Sequence, residues 1–74
     1  MILDLIVTGS DDGYTAEVPT VKGCESWAHT DEEAIEKTIE LLVFYLKLKN
    51  RKDIKIDLAR RTKNKFIYKL VFEK

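Results

Sequence analysis

Residues 14–34 read Tyr-Thr-Ala-Glu-Val-Pro-Thr-Val-Lys-Gly-Cys-Glu-Ser-Trp-Ala-His-Thr-Asp-Glu-Glu-Ala, and they decide the fold of this chain. Apolar and polar residues alternate up to Val18, which predicts a half-buried strand. Pro19 ends that strand because proline has no N–H to donate to a neighbouring strand. A turn closed by Gly23 and a brief strand at residues 25–29 follow. The order strand, turn, strand, helix indicates an α+β fold.

The start of the helix is the clearest local prediction. Thr30 is an N-cap candidate, and Glu33 lies three residues later, which completes a Thr-x-x-Glu capping box. Acidic residues fill the first turn and basic residues lie at or beyond the other end, as the helix dipole favours. We expect the helix to run from about Asp31 to about Leu48 or Lys49.

At 100° per residue this helix has two different faces. The apolar face is expected to pack on the sheet, and it contains Ile35, Ile39, Leu42 and Leu46, extended to one side by Ala34, Thr38, Leu41, Tyr45 and Leu48. Phe44 points almost directly away from it, and its neighbours on that side are Glu33, Lys37, Glu40 and Lys47. We predict that Glu33, Glu36, Glu40 and Phe44 form a partner-binding surface. The alternative is that the loop after the helix folds back over Phe44.

The remaining strands are predicted from short apolar patterns. Residues 2–7 are aliphatic and β-branched, and residues 9–13 connect them to the strand that starts at Tyr14 through an Asp-Gly pair that tolerates positive φ. Residues 66–72 alternate and predict the final strand, with Phe66, Tyr68, Leu70 and Phe72 on one face. Residues 54–58 also alternate, and they fit either an edge strand or an irregular loop.

The length of 74 residues predicts a single small domain, residues 1–74, with a limited core. Domains of this size gain stability from disulfides, metals or oligomerisation. One cysteine and one histidine leave neither an intrachain disulfide nor a structural zinc site. The strands carry apolar residues on both faces, and one helix covers only one of them. We therefore predict a homo-oligomer that forms through the open face or the edge of the sheet.

The net charge of zero hides a strong polarity along the chain. Residues 1–46 contain ten acidic and two basic residues, a formal charge of −8. Residues 47–74 contain eleven basic and three acidic residues, a formal charge of +8. Such asymmetry is typical of electrostatic selection of a protein or nucleic-acid partner. The alternative is that both sets are solvated faces of one fold.

No set of residues indicates catalysis. Cys24 and His29 are the only nucleophile and base of the usual kind, and no third group is placed to orient them. We interpret Cys24 as a small buried residue and His29 as a polar residue before the helix cap. The acidic hairpin tip, Asp11 and Asp12 with Glu17, is interpreted as solvated. We expect a protein that is not an enzyme and that uses neither cofactor nor metal.

The chain shows no sign of a membrane segment. The N-terminus lacks the basic region of a secretion signal. The longest apolar run, residues 41–46, is far shorter than the ~20 residues that cross a bilayer. We expect a cytoplasmic protein without a membrane partner.

The basic C-terminal third, residues 47–69, supports an alternative function. Basic residues lie beside Phe66 and Tyr68, an arrangement that binds RNA or DNA in other proteins. The candidate contacts are Arg51, Lys52, Arg60, Arg61 and Lys63. The same aromatic residues also suit the core face of a strand, so a small nucleic-acid-binding protein is the second interpretation rather than the first.

The opening segment resembles the HicB-like antitoxin family. The family pattern runs approximately Tyr-x-Ala-x-(Val/Phe)-Pro-x-x-x-Gly-Cys, then a short strand, then Gly-x-Thr-x-Glu-Glu-Ala at the start of a helix. The positions that match in order and spacing are Tyr14, Ala16, Val18, Pro19, Gly23, Cys24, Thr30, Glu32, Glu33 and Ala34. The N-terminal hydrophobic strand, the length of the helix and the closing strand also fit the family, so the resemblance extends over nearly the whole chain.

The resemblance implies both a fold and a partner. The implied fold is an antiparallel β-β-β-α-β sheet with one helix on one face, a partial RNase H fold. The implied partner is a small basic HicA-type RNA-cleaving toxin, inhibited by occlusion, for which the acidic residues 1–46 are suited. Ala28 stands where the family usually has Gly, and Thr20 stands where an acid is common. We expect a stand-alone form without the family's C-terminal DNA-binding segment, so autorepression is not implied.

Overall fold

A computed structural model describes residues 1–73 of the chain. These residues form one α-helix, one short 3-10 helix and five strands. The elements are β1 Ile2–Gly9, β2 Tyr14–Glu17, β3 Glu25–Ala28, α1 Asp31–Leu46, the 3-10 helix Arg51–Asp53, β4 Lys55–Arg61 and β5 Lys65–Val71. The strands predicted at residues 2–7, 14–18, 25–29 and 66–72 are all present, with ends shifted by at most two residues.

The five strands form one sheet in the order β3-β2-β1-β5-β4, and every neighbouring pair is antiparallel. The prediction of an antiparallel α+β sheet with one helix on one face is confirmed. Two strands follow the helix, whereas the resemblance implied one. The additional strand is β4, which contains most of the stretch left undecided at residues 54–58. It pairs with β5 because Ile56 and Leu58 lie opposite Leu70 and Tyr68, so apolar side chains share one face.

Helix α1 packs on β3, β2 and β1, and the core lies between them. Each fully buried Leu or Ile side chain there contributes roughly 1.5–3 kcal/mol relative to exposure. The buried apolar residues are Leu3, Leu5, Val7, Ala16, Val18, Cys24, Ala28, Ala34, Ile39, Leu42, Ile54, Leu70 and Phe72. The opposite side of the sheet, which we call the open face, carries Asp4 and Ile6 from β1 and is partly exposed.

A buried hydroxyl fixes the helix on the sheet. Thr38 is fully buried in α1, and its Oγ1 donates to the carbonyl oxygen of Ala16 in β2 at 3.0 Å. The same hydroxyl lies 3.2 Å from Oγ of Ser26 in β3, and the thiol of Cys24 lies 3.5 Å from the carbonyl oxygen of Thr38. A buried hydroxyl without a partner costs roughly 1–3 kcal/mol, so sliding the helix along the sheet is penalised.

The helix begins as predicted and ends earlier than predicted. The N–H of Glu33 donates to Oγ1 of Thr30 at 3.2 Å, which confirms the N-cap. The expected end at Leu48 or Lys49 is wrong, because Lys47 adopts the left-handed conformation with φ of 54°. The N–H of Lys47 donates to Phe44 and that of Leu48 donates to Val43, which is a Schellman motif.

Two glycines have different roles. Gly23 has φ of +82°, so it closes the turn between β2 and β3 as predicted. Gly13 does not use the positive φ that the Asp-Gly pair tolerates. Gly13 instead provides space. A Cβ atom there would lie 2.5 Å from the carbonyl oxygen of Ala28 and 2.5 Å from the Trp27 ring.

The helix end provides a stability test. Lys47→Gly is expected to stabilise the fold by about 0.5–1 kcal/mol, because the left-handed conformation costs a residue with a Cβ roughly 1–2 kcal/mol and glycine loses part of that gain in chain entropy. Urea denaturation measures the change. Lys49→Gly, which lies beyond the helix, is the control and should not raise stability. A helix that continued to Lys49 would make both substitutions destabilising by about 1 kcal/mol.

Candidate protein-binding site

Three acidic residues of α1 lie together with Phe44 on its solvent side. Glu33, Glu36, Glu40 and Phe44 are all exposed and fall within an arc of about 80° at 100° per residue. We call these four residues the acidic helix face. Their placement follows from the core residues of α1, since burying Ile39 and its neighbours against the sheet turns the other side of the helix to solvent.

Phe44 is the feature of this face that folding alone does not explain. Its side chain is 73% exposed, and its ring makes an edge-on contact with Tyr45 at a centroid distance of 5.8 Å. The alternative that the following loop folds over Phe44 is wrong. An exposed aromatic ring one helical turn from the carboxylate of Glu40 resembles the aromatic anchors that are enriched at protein interfaces.

The loop after α1 does fold back, but it contacts Glu36 of the acidic helix face and not Phe44. Arg51 in the 3-10 helix forms a salt bridge with Glu36. Both side chains are about half exposed, so solvent weakens the attraction between them. Glu36 is therefore partly neutralised within the chain. The free negative charge of the face comes from Glu33 and Glu40.

The strand order turns the charge polarity of the sequence into a spatial one. The acidic segments β2, β3 and α1 lie on one side of β1, and the basic hairpin of β4 and β5 lies on the other side. The chain is therefore mainly acidic at one edge of the sheet and mainly basic at the other. The arrangement allows two separate electrostatic surfaces on one small domain.

The structure does not bring the predicted nucleic-acid contacts together. Arg60, Arg61 and Lys63 lie at one end of the β4–β5 hairpin, whereas Arg51 and Lys52 lie at the other. At about 3.3 Å per residue the two ends of the seven-residue strand β4 are roughly 20 Å apart. Arg51 also binds Glu36. The candidate contacts therefore do not form one continuous surface, and only those at the hairpin end are clustered.

A shallow cleft lies where the sheet extends beyond α1. It is lined by Leu58, Arg61, Phe66 and Tyr68 of the hairpin and by Asp31 at the start of α1. Burial and the nearby Asp31 carboxylate raise the pKa of Tyr68, while Arg61 lowers it. The Tyr68 hydroxyl is therefore a hydrogen-bonding group and not a base. Sequence reasoning missed the cleft because Asp31 is distant from the hairpin along the chain.

Cys24 and His29 occupy different environments. Cys24 is buried beside Thr38, and burial raises the pKa of its thiol. Since the thiolate is the reactive form, this environment argues against a nucleophile. His29 is exposed, and its ring packs edge-on against Trp27 at a centroid distance of 4.8 Å. The structure therefore supports the interpretation of Cys24 as a small buried residue.

The motif positions of the opening segment serve the architecture. Pro19 follows the end of β2, and Gly23 turns the chain toward β3. Tyr14 begins β2 and is partly buried, while Ala34 is fully buried in the first turns of α1. Thr30 caps the helix. These positions stabilise the fold, and they do not converge on one surface.

Residues 1–73 lack two further kinds of feature. Within this part of the chain no group of three or more His, Cys, Asp or Glu residues is placed to hold a metal ion. No helix in the same range is long and apolar enough to span a membrane.

The buried thiol gives a direct test of the packing around α1. In the folded protein Cys24 is expected to react with iodoacetamide at least about tenfold more slowly than in urea, because labelling requires local opening. Mass spectrometry of timed samples measures both rates at the same pH. Equal rates in the folded and unfolded protein would contradict the burial of Cys24.

No protein-family model, curated protein or solved structure matches the chain.

Proposed function

We propose that this protein is a protein-binding module of the HicB-like antitoxin type. Its acidic helix face would bind a small basic HicA-type RNA-cleaving toxin in the cytoplasm and occlude the surface that contacts RNA. The observation that carries the proposal is Phe44, which is 73% exposed on the same helix face as Glu33 and Glu40 and lies one turn after Glu40.

The two components of the face contribute differently to binding. Burial of the Phe44 ring against a partner supplies roughly 1.5–3 kcal/mol of apolar transfer free energy. The carboxylates of Glu33 and Glu40 attract a basic surface and increase the association rate more than the final affinity. A surface that binds the phosphates of RNA is basic, so the same toxin surface would be attracted to this face.

The kinship to the HicB-like family is part of the proposal. It is supported by the capped helix start at Thr30, the glycine turn at Gly23 and the burial of Ala34, all of which hold the positions of the family pattern. The pairing of β4 with β5 departs from the single strand that the family pattern places after the helix.

The proposal predicts a specific effect of Phe44. A catalytically inactive HicA-type toxin should bind the protein in isothermal titration calorimetry, and Phe44→Ala should raise the Kd by at least about tenfold, because central aromatic anchors carry much of the affinity. Leu58→Ala is the matched control. Leu58 is 53% exposed at the opposite edge of the sheet, so its truncation should leave the Kd unchanged.

Two results would contradict this function. Absence of binding to every toxin of a HicA-type panel, including any encoded beside the gene, would remove the proposed partner. An equal effect of Phe44→Ala and Leu58→Ala would show that the acidic helix face is not the contact surface. Thermal unfolding of both variants ensures that the comparison is between folded proteins.

One observation favours a second candidate function. Arg60, Arg61, Lys63 and Lys65 cluster at the end of the β4–β5 hairpin, and the Arg61 guanidinium lies 5.3 Å from the centre of the Phe66 ring. A cluster of cations beside an aromatic ring is a feature of sequence-independent binding to single-stranded nucleic acid.

The second candidate predicts a salt-dependent complex with RNA. Fluorescence anisotropy with a labelled single-stranded RNA should show binding that weakens as salt rises, since each phosphate contact releases a counterion. At a fixed salt concentration, Lys63→Glu should weaken RNA binding relative to the unmodified protein. Lys52→Glu, at the other end of the hairpin, should have little effect on RNA binding. Unchanged anisotropy at low salt would exclude this function.

A further inference from the structure

The open face of the sheet carries a row of side chains that runs from acidic to basic. The register places Glu25 of β3 beside Glu17 of β2, and Glu17 beside Ile6 of β1. Ile6 lies beside Ile67 of β5, which lies beside Arg60 of β4. Cross-strand partners share one face of a sheet, so all five side chains are on the open face.

The position of β1 centres this row on Ile6. β1 is the middle strand of the five, with two strands on each side. The row therefore has an isoleucine at its centre, carboxylates at one end and a guanidinium at the other. Ile6 and Ile67 are partly buried, and Ile2 on the same face is 64% exposed.

We propose that two copies of this chain pack open face against open face, related by a two-fold axis that runs parallel to β1. This rotation places β1 over the partner's β1, β2 over its β5 and β3 over its β4. Ile6 then meets the partner's Ile6 at the centre. Glu25 faces the partner's Arg60 at each end, so each charge pair occurs twice. The contact is isologous and closes as a dimer.

Charge selects this axis over the other face-to-face arrangement. A two-fold axis perpendicular to the strands would place β3 over the partner's β3 and β4 over its β4. Glu25 and Glu17 would then face carboxylates, and Arg60 would face a guanidinium. Like charges placed opposite one another are strongly unfavourable in an interface. The acidic-to-basic row is therefore complementary to itself in only the first arrangement.

The dimer is expected to be weak and sensitive to salt. The face covers about 450 Å² per copy in projection, given the usual strand spacing and rise per residue. A typical stable interface buries about 800 Å² per partner, so this one is at the small end. The salt bridge between Asp4 and Lys69 lies on the same face and is half exposed, and covering it costs desolvation. The axis also places Asp4 over the partner's Asp4 and Glu17 over the partner's Ile67, and both contacts weaken the dimer. A Kd in the micromolar range follows.

The arrangement leaves both helices on the outside of the dimer. α1 packs on the side of the sheet opposite the open face, so Phe44 of each copy faces solvent. The dimer surface and the acidic helix face are separate, and each can be tested without the other. If both proposals hold, the assembly binds two toxin molecules.

A charge-swap series tests the dimer at low salt. Sedimentation velocity from about 1 µM to about 200 µM should show a reversible monomer–dimer equilibrium. Glu25→Lys and Arg60→Glu should each raise the Kd by at least about tenfold, because each places like charges opposite one another. The double variant Glu25→Lys with Arg60→Glu should restore the Kd to near its original value. Glu40→Lys on the outer helix face is the matched control and should change little.

The remaining outcomes overturn the proposal. A monomer throughout the concentration range would exclude the dimer. A dimer whose Kd is unchanged by the single substitutions, or is weakened further by the double variant, would exclude this pairing of edges. A dimer that persists in Ile6→Lys but is lost in Asp57→Pro would show pairing through the edge strand β4 instead. Circular dichroism identifies any variant that has not folded.

Discussion

Helix α1 contains 16 residues, so it is about 24 Å long and about 10 Å wide, whereas five strands span a width of roughly 20 Å. The helix therefore packs on β1, β2 and β3 and does not cover most of the β4–β5 hairpin or the open face. Thr38 fixes the helix at this place through its bond to β2. Because one helix covers only part of one side of the sheet, some apolar surface stays exposed. The position of that surface determines where a partner binds.

The order of the strands gives those uncovered surfaces their chemistry. The first half of the chain is acidic and forms β3, β2 and α1, while the last third is basic and forms β4 and β5. With β1 in the middle, the two halves lie at opposite edges. One surface combines Phe44 with carboxylates on the helix, and another combines isoleucines with both charge signs on the open face. We propose that the first surface binds a basic protein partner and the second binds a copy of the same chain.

Features that depend on neighbouring residues were predictable from the sequence. Thr30 caps the helix because its hydroxyl needs only the N–H three residues later. Lys47 was missed as the helix end because a left-handed residue is usually glycine, and a lysine there gives no local signal. The salt bridge between Glu36 and Arg51 joins positions 15 residues apart, and it depends on the path of the loop. The separation of the basic residues likewise depends on β4 being a full strand, which the pattern at residues 54–58 left undecided.

The proposed assembly depends most on contact between two open faces. An isotope-filtered NOE experiment on a mixture of labelled and unlabelled protein, at a concentration where the dimer is populated, tests this contact directly. We predict intermolecular NOEs between the methyl groups of Ile6 and those of the partner's Ile6, with none from the Phe44 ring. Intermolecular NOEs confined to β4 or to the Phe44 ring would contradict the account, as would their absence from Ile6.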